Sequence, residues 1–213
     1  MSRFIVICDV DSTLINDEVI DLLADAAGTR DEVAAITERA MRGEIDFVES
    51  LAQRVATLSG VPAKVLNDVL GAVTITTGAL PLVHAVHEAG GFIIAVSGGF
   101  REILDPIATQ LGLDAWLANG LEVLDGAFTG RTYGPVIDGS AKANFLTAYA
   151  KKRRIPLSNT IAVGDGANDL AMMNIAGLSV GFCAKPAVRE AAHVNIDVRD
   201  LSLVASLIGR RAG

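Results

Sequence analysis

Several residue types are scarce in this chain. Its 213 residues include two cysteines, one tryptophan and three histidines, and aromatics make up only 5%. Cys8 and Cys183 have no CxxC spacing and no neighbouring histidine, which argues against a thiolate metal or redox motif and makes each a buried, reduced thiol by expectation. Long apolar runs are missing too. The strongest, such as Phe92 to Val96, are far too short to cross a bilayer, so no membrane partner is expected. Before Asp9 stand one arginine and the apolar run Phe4 to Cys8, which is not a secretory signal, and a cytoplasmic location is the expectation. Cations are outnumbered, 18 Lys and Arg against 25 Asp and Glu, for a net charge of -7. That balance argues against a nucleic-acid binder. It also means that recognition of an anion would require positive charge concentrated locally.

Hydrophobic residues at 51% and charged residues at 20% describe a soluble globular chain of one or two domains. Short apolar runs ending in turn residues read as strands: Phe4–Cys8, Gly91–Ser97, Thr160–Gly164, Leu178–Gly181 and, more weakly, Val194–Ile196. Helical patterns lie between them, at Leu80–Ala89, Arg101–Leu111, Ala141–Lys152, Asp169–Ala176 and Pro186–Ala192. This alternation predicts an α/β fold, a parallel sheet covered by helices on both faces, with ligands at the carboxyl ends of the strands. Residues 17 to 76 interrupt the rhythm with four helical segments and no strand, and predict an all-helical insertion after the first strand. The expected division is a core of residues 1–15 and 77–213 with a helical unit of 16–76. Leu121–Tyr133, alternating around Asp125-Gly126, reads as a β-hairpin.

The first strand runs straight into DVDST, so Asp9 and Asp11 are two apart and point the same way in an extended segment. Paired carboxylates repel and need a cation or a shared proton. A lone DxD is more often a turn or a helix cap, but other strand ends add to it. The second strand ends in Ser97-Gly98-Gly99 before a helix, a hydroxyl and exposed N–H groups suited to an anion. The third ends in GDGAND, placing Asp165, Asn168 and Asp169 on the same edge, and Lys142 lies between these two strands. Four ionised carboxylates cannot share a pocket with a phosphate dianion unless a divalent cation joins them. The ligands on offer are oxygens, with no His or Cys near, so Mg2+ fits better than Zn2+. One carboxylate can then attack phosphorus while the other carries the proton to the leaving alkoxide and later takes one from water.

DVDST, SGG, Lys142 and GDGAND, in that order and across the whole chain, resemble the four motifs of the haloacid-dehalogenase-like phosphatases. The helical insertion is similar to that family's mobile cap. The resemblance implies Asp9 as nucleophile and Asp11 as general acid/base. It implies a Mg2+ site of Asp9, the Asp11 backbone carbonyl and Asp165. It places Ser97, Gly98, Gly99, Lys142 and Asn168 around the substrate, with Asp169 in support. Glu18, seven residues after Asp11 in a DSTLxxxE pattern, and Arg54 in MRGEIDFVESLAQRV resemble the phosphoserine phosphatase branch. In that branch Glu18 would face the substrate ammonium and Arg54 its carboxylate, under Met41 and Phe47. The implied partner is a small amino-acid phosphomonoester, acted on by a monomer or homodimer; a related phosphatase or phosphotransferase for another small phosphomonoester is the alternative. The return from the insertion reads ITTGALPL, where the family often has a proline before the glycine. Taken singly, Glu18 is also a first-turn helix acid, Arg54 a solvated helix charge, and Met41 and Phe47 packing residues of the helical unit. A phospho-accepting signalling domain would share the acids and the lysine but lacks both Asp11 and the insertion. His84 and His87 at i, i+3 read as surface or packing residues, Trp116 as packing just past a helix, and Lys151 to Arg154 as cations complementing a helix dipole.

Overall fold

The computed structural model describes residues 3–209. Its first strand, β1 (Ile5–Cys8), is buried along its whole length. Alternate residues serve opposite faces: Val6 and Cys8 belong to one hydrophobic cluster and Ile5 and Ile7 to another. Four helices follow, α1 (Val19–Ala27), α2 (Arg30–Met41), α3 (Phe47–Ala56) and α4 (Val65–Ala72). The chain then alternates through α5 (Ala79–Glu88), β2 (Phe92–Phe100), α6 (Arg101–Leu111), β3 (Ala115–Leu124), β4 (Ala127–Tyr133), α7 (Gly139–Arg153) and β5 (Thr160–Gly164). It ends with α8 (Leu170–Ile175), β6 (Leu178–Phe182), α9 (Pro186–Ala191), β7 (Val194–Ile196) and α10 (Ser202–Ala205). The sheet order is β4-β3-β2-β1-β5-β6-β7, and every neighbouring pair is parallel except β3 with β4.

The cluster on the Val6 face gathers α5, α6 and α10 together with Leu23, Leu51 and Val55 of the inserted helices. On the Ile5 face, Leu146 and Tyr149 of α7, Met172 of α8 and Val188 of α9 complete the second layer. Two buried faces explain why β1, β5 and β6 read as continuous apolar runs. The inserted helices join the sheet through a narrow two-stranded ribbon, with Ile15 bridged antiparallel to Ile75, Asn16 N donating to Thr74 O at 2.9 Å and Thr76 N to Leu14 O at 3.0 Å. Their far side is tied to the hairpin, where Gly60 N donates to Phe128 O at 2.8 Å and Ala63 N to Gly126 O at 2.9 Å. No helix among the described residues is long and apolar enough to cross a membrane.

Several expectations need correction. The second strand does not stop at Ser97 but runs to Phe100, and its register with β3 shifts between Val96 and Phe100. Gly98 and Gly99, expected in the turn between this strand and the helix, therefore lie in an irregular strand end. The hairpin forms around Asp125 and Gly126, at φ 50° and 79°, but its first strand begins at Ala115. Trp116 is thus a strand residue, and its Nε1 donates to Asp105 Oδ1 at 2.8 Å. Cys8 is buried as expected, whereas Cys183 is only partly so. His87 pairs with Asp114 at 3.0 Å, and Arg153 stacks over the Phe92 ring at 4.2 Å, so both have local structural work.

Candidate active site

The carboxyl ends of β1, β2 and β5 meet in the middle of the sheet, since β1 pairs with both of the others. Asp9 leaves β1 still paired, its N–H donating to Val163 O at 2.9 Å. The chain then turns sharply through Val10–Leu14, with Ser12 at φ 56°. This turn faces Asp11 toward the other strands. Its Oδ1 accepts from Val19 N at 2.9 Å, at the start of α1, and its Oδ2 accepts from Ser97 Oγ at 3.0 Å. Ser97 Oγ in turn accepts from Gly99 N at 2.7 Å.

Lys142 reaches in from the first turn of α7, whose N-terminus Asp138 caps by accepting from Ala141 N at 2.8 Å. The lysine is 0% exposed. Its Nζ donates to Asp9 Oδ1 at 2.5 Å and to Asp169 Oδ1 at 2.7 Å. Asp169 is also 0% exposed, and its other oxygen accepts from Asp165 N and Gly166 N, each at 3.1 Å. Asp169 thus fixes both the lysine and the loop that carries Asp165.

Burial, with repulsion from Asp169, pushes the Asp9 carboxyl well above the usual carboxylate range against the pull of Lys142. Burial raises Asp11 and Asp165 as well. For Lys142 burial favours the neutral amine, but Asp169 and Asp9 outweigh it and hold the ammonium.

One oxygen from each of Asp9, Asp165 and Asp169 lies within 4.8 Å of the others, an all-oxygen set that suits a hard divalent cation. Asp169 already has both oxygens engaged, which leaves Asp9 and Asp165 as the carboxylates free to turn toward an ion. Lys185, on the loop between β6 and α9, sets its Nζ 3.1 Å from Asp165 Oδ2 and brings an ammonium to the same acids.

The raised pKa values of Asp9 and Asp165 give the site a definite pH dependence. Asp9 and Asp165 are each held protonated to higher pH in the folded chain than at the ordinary value of about 4, so folding loses stability as pH rises from there through the folded pKa. A divalent cation binds the ionised forms and offsets that loss. Added Mg2+ should therefore raise Tm more at pH 7 than at pH 5, with EDTA reversing it; an equal rise at both would place the ion elsewhere.

Asp9, Asp11, Gly98, Gly99 and Asp165 line an inner cavity of ≈ 90 Å³. A wider space of ≈ 710 Å³ lies beside it under the inserted helices, and Glu18, Ile20, Phe47, Arg54, Asn168 and Lys185 line both. The Phe47 ring packs so close to the sheet that a Cβ on Gly98 would lie 2.8 Å from its Cζ. Glu18 accepts from Ser12 Oγ at 2.8 Å, and burial and nearby Asp11 push its carboxyl up. Arg54 is half-buried, forms no ion pair among the described residues, and has its Nε 3.3 Å from Ser50 O. Burial lowers its pKa, although Glu18, Asp21 and Asp11 pull the other way.

Every residue expected at the site from the sequence lines one of the two cavities or is hydrogen-bonded to a residue that does: Lys142 to Asp9, Ser97 to Asp11, and Asp169 to the Asp165 N–H. Met41 is the outlying one: it is 77% exposed and lines only the wider space. Lys185 was not foreseen. Its signal was its place at the end of β6, directly before Pro186 at the start of α9, on the same sheet edge as the other groups.

Residues 6–174 match the haloacid dehalogenase-like hydrolase family. The chain is 47% identical to the phosphoserine phosphatase of Lactococcus lactis, over 99% of this chain and 98% of that one. It is 50% identical to the phosphoserine phosphatase of Streptomyces coelicolor over 96% of its own residues, but spans only 50% of that longer protein. Among solved structures, a phospho-aspartyl intermediate analogue of phosphoserine phosphatase superposes with a TM-score of 0.92 at 40% identity, covering 98% of this chain and 100% of that one. A substrate-bound phosphoserine phosphatase complex superposes at 0.93 with 39% identity, over 98% and 99%. Motifs, fold and relatives agree, and the chain belongs to the haloacid dehalogenase-like hydrolases, within their phosphoserine phosphatases.

Proposed function

We propose that the chain hydrolyses O-phospho-L-serine to L-serine and phosphate through an aspartyl-phosphate on Asp9. The observation that carries the substrate is the pairing of Glu18 with Arg54 on the walls of the cavity that holds Asp9 and Asp11. A free amino acid presents one ammonium and one carboxylate, and these side chains offer one opposite charge to each. Arg54 is half-buried with no ion pair among the described residues, and with Nε turned to Ser50 O its terminal Nη groups remain for an incoming carboxylate.

In the first step a carboxylate oxygen of Asp9 forms a bond to phosphorus as the bond from phosphorus to the serine oxygen breaks. Asp11 gives its proton to that oxygen, a role suited to a carboxyl whose pKa burial has raised. In the second step Asp11, now ionised, takes a proton from water; the water oxygen bonds to phosphorus, phosphate leaves and Asp9 is restored. Ser97, the backbone N–H of Gly98, Asn168 and Lys142 bind the phosphoryl oxygens, Gly99 lines the cavity with its N–H turned to Ser97 Oγ, and Asp169 keeps Lys142 in place. Asp9, Asp165 and the Asp11 carbonyl would hold Mg2+, which would supply the positive charge that lets a phosphate dianion approach these acids. Residues 16–76 act as a cap over residues 1–15 and 77–213: Phe47 and Arg54 close over the amino acid and exclude water, and Met41 covers the outer rim.

Phosphoethanolamine carries the ammonium but no carboxylate, and so isolates Arg54. Arg54→Ala should raise KM for phosphoserine about 10- to 100-fold, the value of a charge-assisted pair, and leave KM for phosphoethanolamine nearly unchanged. Equal changes on both, in steady-state phosphate release, would favour a different small phosphomonoester. The experiment that tests the reading as a whole is phosphate release from phosphoserine by the unaltered chain with Mg2+ and with EDTA.

A further inference from the structure

Ser12 has a backbone conformation that a residue with a side chain rarely adopts, at φ 56°. Three hydrogen bonds hold it there. Its N–H donates to Asp17 O at 3.2 Å, its hydroxyl donates to Glu18 Oε1 at 2.8 Å, and its carbonyl accepts from an Nη of Arg199 at 3.1 Å. The third donor comes from the other end of the chain. Arg199 lies on the loop after β7, beyond every motif that carries the chemistry.

An exposed arginine is ordinarily a solvated charge, but this one is built in. Its guanidinium lies 5.8 Å from the centroid of the buried Phe182 ring, and a second contact reaches Asn16 Oδ1 at 3.5 Å. Two residues on, the fully buried Leu201 donates its N–H to Thr77 O at 2.8 Å. Residues 199–201 thus grip both sides of the ribbon joining the inserted helices to the sheet, Ser12 and Asn16 on one side and Thr77 on the other.

We propose that Arg199 is a positioning residue for substrate recognition: by holding the Ser12 carbonyl it fixes the hydroxyl that aims Glu18 into the cavity. The proposal rests on the reading of Glu18 as the partner of the substrate ammonium. Without the Arg199 bond, Ser12 can relax toward an ordinary conformation, and its hydroxyl no longer meets Glu18. Arg199 touches neither phosphate nor Asp9, and Asp11 keeps its own bonds from Val19 N and Ser97 Oγ when Ser12 relaxes, so the chemical step changes far less than substrate affinity.

The test compares Arg199→Ala, Arg199→Gln and Arg199→Lys in the full chain with Mg2+, on phosphoserine and on p-nitrophenyl phosphate, which has no ammonium. Arg199→Ala and Arg199→Gln should raise KM for phosphoserine about five- to tenfold, the loss of one aligned hydrogen bond, with kcat and the aryl phosphate changed less than about twofold. Arg199→Lys can still donate to the carbonyl and should recover most of the affinity. An unchanged KM, or equal losses on both substrates, would overturn the proposal. Should the alanine variant fail to fold, the glutamine variant carries the same expectation. Amide exchange between Ser12 and Asp17 gives a readout independent of substrate: it should quicken in Arg199→Gln, and unchanged exchange would overturn the link even if the unaltered chain turned over only the aryl phosphate. That last result would defeat the phosphoserine reading separately.

Discussion

Asp9→Asn is expected to abolish phosphate release, by about 10⁴-fold or more, while leaving the protein at least as stable at pH 7. The amide has the shape of the carboxylate but cannot attack phosphorus. The stability expectation follows from the same residue's surroundings. Burial and Asp169 raise the Asp9 carboxyl well above its ordinary range, so the folded chain prefers it uncharged. A neutral isostere removes that penalty, and Lys142 keeps its bond to Asp169 at 2.7 Å. Steady-state assay and thermal melting of the same preparation separate the two effects. Retained turnover would remove Asp9 as nucleophile, and lost turnover with a collapsed Tm would mean that the change had acted through folding.

Lys142→Met is expected to damage both properties. Turnover should fall about 10²- to 10³-fold, the range seen when one preorganised donor to developing charge is removed. Stability should fall by about 3–5 kcal/mol, the cost of breaking a buried ion pair, and Tm by roughly 10 °C. The reason is arithmetic of charge: the ammonium lies within hydrogen-bond reach of Asp9 and Asp169 at once, and its loss strands two buried carboxylates. The loss should depend on pH in a definite direction. Asp9, already held protonated to higher pH than in an unfolded chain, is pushed further the same way when the lysine is gone. Destabilisation is then smallest in acid, where the group is neutral in both states, and grows as pH rises through its folded value. Urea unfolding at pH 5 and pH 8 checks this; a stability loss independent of pH would mean that packing and not charge had been removed.

Much of this arrangement could be read in the sequence because its carriers are local. Apolar runs ending in Asp9, Ser97 and Asp165 marked strand ends, and a parallel sheet brings such ends to one edge. The four inserted helices showed their 3.6-residue period, with Asp46 capping α3 by accepting from Glu49 N at 2.8 Å. What stayed hidden had no local pattern. The start of β3, Ala115 to Ala118, lies toward the sheet edge and is only partly buried, and Asn119-Gly120, which suit a turn, cut its apolar run to four residues. The end of β2 was masked by Gly98 and Gly99, which suit a turn as well as an irregular strand. Lys185 and Arg199 act through single long side chains across distant parts of the fold; Lys185 is marked only by its place between β6 and Pro186, and nothing in its neighbours distinguishes Arg199 from a surface cation. Asp169 was read as support, but only the coordinates place it in direct contact with Lys142.

The central position of β1 also has a consequence for synthesis. The strand that ends at Asp9 is made first, yet its partners are Phe92–Ala95 on one side and Thr160–Val163 on the other. At ribosomal rates of about 5–20 residues per second, the interval between Asp9 and Asp169 lasts on the order of ten to thirty seconds. Throughout it the nascent chain holds an apolar strand without its sheet, while the inserted helices, whose contacts are local, can already form. Catalytic competence therefore arrives late and all at once. A chain stopped anywhere before Asp169 carries the nucleophile but lacks the carboxylate that holds Lys142 beside it, so truncated products are born inert.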